Sequence, residues 1–218
     1  MPVLRLFPLN TVVFPGQQLP LHIFEPRYRQ LVQEVMAEDA EFGIALIRRG
    51  QVAGGGAVPA DVGCAVRIIQ AEELPDGRFN IACQGTRRFR VRELLGEDPF
   101  LRAEVDFPPL PDDADDDATA ALAQKISAQF TDHLRLTLAL QDGWQRSFRL
   151  PSRPAVLADY VAGRVDAGLQ PRQEVLQADR VALRLELLAK ILRSENSQLA
   201  ERLVLQRRQK LGGLGVLN

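Results

Sequence analysis

The residues of this 218-residue chain with the most chemical reach are two histidines, two cysteines, a glutamate beside a proline, and a run of arginines. His22 alternates with Leu21 and Ile23 in a strand-like run, and His133 sits beside Asp132 in a helical one. A protein zinc site draws on ligands at short fixed spacings such as His-x-x-x-His or Cys-x-x-Cys, and neither spacing occurs. Cys64 and Cys83 lie in apolar runs, where a thiol stays protonated and packs as a small hydrophobe. Glu25, between Phe24 and Pro26, stands where a helix should open, so capping or an ion pair with Arg27 is expected of it rather than acid–base work. The glycine cluster Gly54-Gly-Gly56 continues as Ala57-Val-Pro59. It lacks the lysine and hydroxyl that a phosphate-cradling loop supplies, and so reads as a loop tip. Catalytic residues, metal and cofactor are all expected to be absent, which points to a protein that binds.

One constellation could bind an anion. In Arg87-Arg-Phe-Arg-Val-Arg92, strand alternation puts Arg88, Arg90 and Arg92 on one face, and guanidinium groups match phosphate oxygens. Acidic neighbours weigh against this stripe: Glu72, Glu73, Glu93 and Glu97 are available to pair with it. No interleaved aromatics supply a stacking platform for bases. The whole chain carries a net charge of −1, whereas Arg172 to Asn218 holds nine basic and five acidic residues. A cationic helix face at that end could meet an acidic partner or simply face solvent.

Composition, at 46% hydrophobic and 25% charged residues, is that of a packed globular protein of one or two domains. No run approaches the ~18 apolar residues of a membrane helix. The opening residues do not form a secretory leader, and two lone cysteines suit a reducing compartment. A cytoplasmic protein without membrane contact is expected.

The elements that must position these residues change character at Phe107-Pro-Pro-Leu-Pro, which leads into Asp112-Asp-Ala-Asp-Asp-Asp117. Prolines and like charges there forbid a core strand. Before that point the apolar period is two, giving strands over Phe42–Arg48, Cys64–Ile69, Phe79–Cys83, Arg88–Arg92 and Leu101–Val105. Pro75-Asp-Gly77 makes a hairpin turn between two of them. Pro8, Pro15 and Pro20 should mark strand ends or edges, because proline cannot donate to a ladder. One early helix, Pro26 to about Ala37, carries Tyr28, Leu31, Val32 and Val35 on one stripe.

Beyond the acidic run the period is helical. Leu122, Ile126, Phe130, Leu134 and Leu138 form an i, i+4 ladder. Ser152-Arg-Pro154 starts a helix ending near Gly168, and Asp179 caps the longest one, which Gly212-Gly213 ends. The expected division is therefore residues 1–107 as a β-barrel subdomain, 108–117 as a linker and 118–218 as a helical bundle, an α+β chain.

The opening run says more than its periodicity. Phe7-Pro-Leu9, Val13-Phe-Pro-Gly16 and Leu19-Pro-Leu-His-Ile-Phe-Glu-Pro-Arg-Tyr28 are followed in order by Phe42-Gly-Ile44, Val62-Gly63, Asp76-Gly-Arg78, Gly85 with Arg88-Phe-Arg90, and Leu101-Arg-Ala-Glu-Val105. Together they resemble the N-terminal substrate-binding domain of Lon proteases. Arg172-Gln-Glu-Val-Leu176 and Arg184-Leu-Glu-Leu-Leu188 look like its helical half, so the resemblance runs from Leu4 to about Glu195. It implies a PUA-like pseudobarrel followed by a helical bundle, and a role in recognising protein substrates for an ATP-dependent protease.

The chain stops at Asn218 without a nucleotide loop or a serine–lysine peptidase dyad. Neither ATPase nor peptidase activity is carried over, and a stand-alone, ATP-independent binding module is expected. Its partners would be unfolded or exposed apolar polypeptide segments and an ATP-dependent protease, making it an adaptor or chaperone-like binder. The expected peptide lining is Phe14, Leu21, Ile23, Phe24 and Tyr28, in a groove of the barrel or at its junction with the bundle. The alternative is an RNA-binding module, since some PUA-like folds bind RNA and Arg88, Arg90 and Arg92 could serve it.

Overall fold

The computed structural model describes residues 1–50, 56–109 and 117–214. Most of the expected linker, and Gly54 with Gly55, lie outside the described residues. The chain divides into two compact units that do not follow its order: the first takes Met1–Leu110, Ala162–Arg164 and Gly168–Gln177, and the second takes the rest.

Among its described residues the first unit is built on seven strands: β1 (Val3–Leu9), β2 (Gln18–Ile23), β3 (Phe42–Arg49), β4 (Val58–Pro59), β5 (Val62–Glu73), β6 (Phe79–Gly96) and β7 (Arg102–Asp106). The order β1-β7-β6-β5-β3 closes on itself because β1 and β3 also pair, in parallel, from Leu6 with Gly43 to Leu9 with Leu46. Every other pairing is antiparallel. The two strands expected at Phe79–Cys83 and Arg88–Arg92 are one strand of 18 residues. It stays continuous because bulges near Val66 and Ile69 let the ladder turn the barrel corner without breaking. The lower half of β6 pairs with β2 and the upper half with β7.

Helix α1 (Pro26–Ala37) packs the expected stripe, Tyr28, Leu31, Val32 and Val35, into the main apolar cluster with Phe7, Phe42 and Phe79. Pro26 occupies its first turn, and Glu25 sits at the N-cap position with extended backbone. The Glu25 carboxylate makes no capping bond; it pairs with Arg27 at 3.1 Å. Of the three early prolines, Pro20 is in the middle of β2, which among the described residues pairs with β6 alone and is thus an edge strand.

Among the described residues four helices follow: α2 (Asp117–Leu140), α3 (Pro154–Ala162), α4 (Leu169–Gln177) and α5 (Val181–Leu214). The helix expected from Ser152-Arg-Pro154 to near Gly168 is α3, which ends earlier, at Ala162, and a further helix, α4, follows it. Gly168, at φ +75°, precedes α4. Because α4 belongs to the first unit, the division at 108–117 is not the only place where the chain changes units. Gln173, Val175 and Leu176 of α4 are buried, and the Gln173 amide donates to the Val62 carbonyl at 2.9 Å.

In the second unit, the buried stripe of α2 is Thr119, Ala123, Ile126, Phe130 and His133 rather than the full i, i+4 ladder. Steps of four drift around a helix of 3.6 residues per turn, whereas alternating steps of four and three stay on one side. Leu122, Leu134 and Leu138 end half-buried as a result. Helix α5 buries Val181, Arg184, Leu185, Leu188 and Leu192, and it runs through Gly212-Gly213 to Leu214. Val181 begins this helix, so Asp179 stands two residues ahead of it.

Candidate functional site

The opening run supplies β2 and the start of α1, and these place the five residues expected to line a peptide site. Three go to the core: Phe14 is 0% exposed, Ile23 1% and Tyr28 4%. Phe14 lies beneath Gly85, whose N–H and carbonyl bond to Gln17 and Gly16 at 2.8 Å each. The Tyr28 ring stacks on Phe7 at 3.9 Å, with the Arg27 guanidinium 4.5 Å from its centroid. Burial pushes the Tyr28 hydroxyl up to about 12. Only Leu21, half-buried, and Phe24, 59% exposed, remain for a ligand to touch. Alternation explains the split, since Leu19, Leu21 and Ile23 face the core while Gln18, Pro20 and His22 face solvent.

The arginines do not form a common open face. Arg88 is buried, and its Nη1 donates to the Leu176 carbonyl of α4 at 3.1 Å. Strand alternation does aim it away from the barrel interior, but α4 covers that side. Arg90 is half-buried, and exposed Arg92 pairs with Asp106. Arg87 reaches Glu41 at 3.0 Å and lies over the Phe107 ring at 3.7 Å. Their positive charge is thus largely spent inside the unit.

His22 belongs to a polar chain on the outer face of the lobe formed by β2, lower β6 and the end of β5. Its Nδ1 is 2.8 Å from the Asn80 Oδ1, and the Arg78 Nη1 is 3.3 Å from its Nε2. Since Asn80 Nδ2 donates to Glu72, its Oδ1 is the acceptor facing His22 Nδ1. Arg78 in turn holds the Asp76 carboxyl below its usual range through a side-chain hydrogen bond. Cys64 and Cys83 are both buried and not joined in a disulfide, and burial pushes the Cys83 thiol up to about 12, which removes it as a nucleophile near neutrality. Among the described residues, no group of three or more histidine, cysteine or acidic side chains could hold a metal, and no helix is long and apolar enough to cross a membrane.

A feature that sequence reasoning missed lies on the other side of the same lobe. A groove of about 300 Å³ runs between the end of α1 and β5, lined by Val35, Met36, Asp39, Ala40 and the stretch from Arg67 to Ala71. Met36 and Ile69 are each 47% exposed there. Adjacent Ile68 and Ile69 were the available signal, because two neighbouring isoleucines break strand alternation and mark the bulge that turns one of them outward.

Residues 3–194 match the family model for the ATP-dependent protease La (LON) substrate-binding domain. A Lon protease of Anaeromyxobacter dehalogenans is 27% identical over 192 residues, covering 87% of this chain and 23% of that protein. One from Syntrophus aciditrophicus is 29% identical over 189 residues, covering 85% and 24%. The chain therefore spans about a quarter of the length of these curated relatives. Among solved structures, the Lon N-terminal domain protein from Xanthomonas campestris is 30% identical with a TM-score of 0.64, covering 86% of this chain and 97% of that one. The N terminal domain of Mycobacterium avium complex Lon protease has the same TM-score at 21% identity, a likeness of fold.

Proposed function

This chain belongs to the family of LON substrate-binding domains, and from that premise we propose that it is a recognition module for protein substrates, binding apolar segments that unfolded polypeptides expose. The observation that carries the reading is the family match across residues 3–194. The first unit supports it by holding Phe24, Met36 and Ile69 in solvent, where apolar side chains are available to a client. Clients would be passed to an ATP-dependent protease, in the manner of an adaptor or chaperone-like binder, in the cytoplasm. The RNA alternative loses support from the burial of Arg88 and the pairing of Arg87 and Arg92. It would regain support if RNA bound with steep salt dependence and Arg90→Glu abolished that binding.

The test is a titration of a fluorescein-labelled, reduced and permanently unfolded protein, followed by anisotropy. Saturable binding is expected at micromolar concentrations, with no response to the folded, disulfide-intact form of that protein. Absence of binding at tens of micromolar overturns the reading.

A further inference from the structure

Along one edge of the lobe the main chain lacks a partner among the described residues. Strand β3 begins at Phe42, and its pairing with β5 covers only Cys64 to Val66. From Arg67 to Glu73, among the described residues, β5 pairs on its β6 side alone. The hairpin sets the phase of that ladder: the Leu74 N–H donates to the Arg78 carbonyl at 2.8 Å. Alternation then makes Glu72 and Asn80 a hydrogen-bonded pair and turns the N–H and C=O of Ala71 and Glu73 away from β6. The residues from Ile69 to Glu73 are all exposed, and the groove beside Met36 borders their first three.

Strand β2 offers the lobe's other free edge, and the contrast between them is chemical. The Gly85 N–H bonds to the Gln17 carbonyl at 2.8 Å, which makes Gln18 opposite Gln84 a non-hydrogen-bonded pair and Leu19 opposite Cys83 a bonded one. Pro20 therefore has its nitrogen on the outer side, where it offers no donor. A central proline closes an edge to strand addition. Between Arg67 and Glu73 there is no proline.

We propose that the β5 edge from Ile69 to Glu73 takes up an extended client segment as an added strand, a proposal that rests on the substrate-recognition reading. The occupant has apolar residues at alternate positions, which enter the groove against Met36 and Ile69. It also has a lysine or arginine where the edge ends in the exposed carboxylates of Glu72 and Glu73. Main-chain hydrogen bonds take any sequence, and the groove selects alternation. Such alternating segments are paired inside a folded client and become available only when it unfolds, so discrimination between the two states follows from backbone geometry.

Ala71→Pro tests the edge directly. The Ala71 N–H points outward, so proline there removes no β5–β6 hydrogen bond and should leave the thermal midpoint unchanged. The probe is a fluorescein-labelled peptide of alternating valine and serine ending in two lysines, read by anisotropy. Its affinity should fall about tenfold in the variant, since both a donor and room for the added strand are lost. A second measurement uses the unaltered protein and two N-methylated forms of the peptide, each blocking one alternate set of amides. Strand addition requires that one form bind poorly and the other like the parent; equal binding of both overturns the proposal, even if Ala71→Pro fails to fold. Undiminished capture of peptide and unfolded protein by folded Ala71→Pro overturns the edge while leaving the broader reading in place. No capture of either probe by the unaltered protein overturns both.

Discussion

The two compact units fill their interiors differently. In the first, the closest approaches are made by backbone: a Cβ added to Gly85 would overlap the Phe14 carbonyl, and one on Gly63 would overlap that of Ile44. In the second, an arginine is wholly enclosed. Arg184 is 0% exposed, its Nε donates to the Ala178 carbonyl at 2.9 Å and its Nη1 lies 3.3 Å from buried Asp159. A strand that must bend around a barrel leaves no spare volume. Helices side by side leave a slot that a long polar side chain can fill, provided its charge is matched. The first unit is therefore specified by room and the second by pairing.

The largest effect should come from breaking that pairing. Asp159→Ala strands a buried guanidinium and should cost ~3–5 kcal/mol, measured by urea unfolding followed by helical circular dichroism. The double variant Asp159→Leu with Arg184→Met should recover most of the loss; if it does not, pairing is not what the charges contribute. Next, Gly85→Ala should destabilise by ~1–3 kcal/mol, because the overlapping atom is backbone and cannot rotate away. A variant as stable as the parent would show that the barrel has slack.

A third contrast appears at high pH. The Cys83 thiol is raised by burial from 9.0 to about 12, and the Tyr28 hydroxyl from 10.0 to about 12, and both groups lie in the first unit. Each holds its proton more tightly when folded, so the stability they contribute is complete below pH 9 and falls as pH climbs toward 12. Unfolding midpoints measured across that window should drop, and Cys83→Ala should flatten the decline. The smallest effect on stability should be that of Phe24→Ser, within ~0.5 kcal/mol for an exposed side chain. Its affinity for unfolded protein should nonetheless weaken.

Much of the barrel was legible because β2, β7 and the lower half of β6 alternate, while β3 and β5 carry compact apolar runs. The α1 stripe of Tyr28, Leu31, Val32 and Val35 was legible for the same reason at helical period. What was not legible depended on neighbours. The alternation that gathers Arg88, Arg90 and Arg92 on one side says nothing of what covers that side, and α4, far along the chain, covers Arg88. Likewise the amphipathic pattern of α4 declares a buried face without declaring which unit buries it. Residue type alone does not separate core from ligand duty at Phe14, Ile23 and Tyr28, since both uses demand the same side chains. The β5 edge was hidden for another reason. A free row of main-chain donors depends on where β3 begins, and neither Ile69 nor Ala71 carries a mark of it.

The return of α4 to the first unit has a consequence for the order in which the chain is made. Arg172 Nη2 bonds to the Val12 carbonyl at 3.0 Å and Gln173 to that of Val62, while Arg88 waits for Leu176. During synthesis all seven strands emerge before α2 and α3, and the helix that seals them comes only afterward. The nascent barrel therefore passes that interval without the α4 contacts to Arg88 and to the Val12 and Val62 carbonyls, and gains them only when α4 follows α2 and α3.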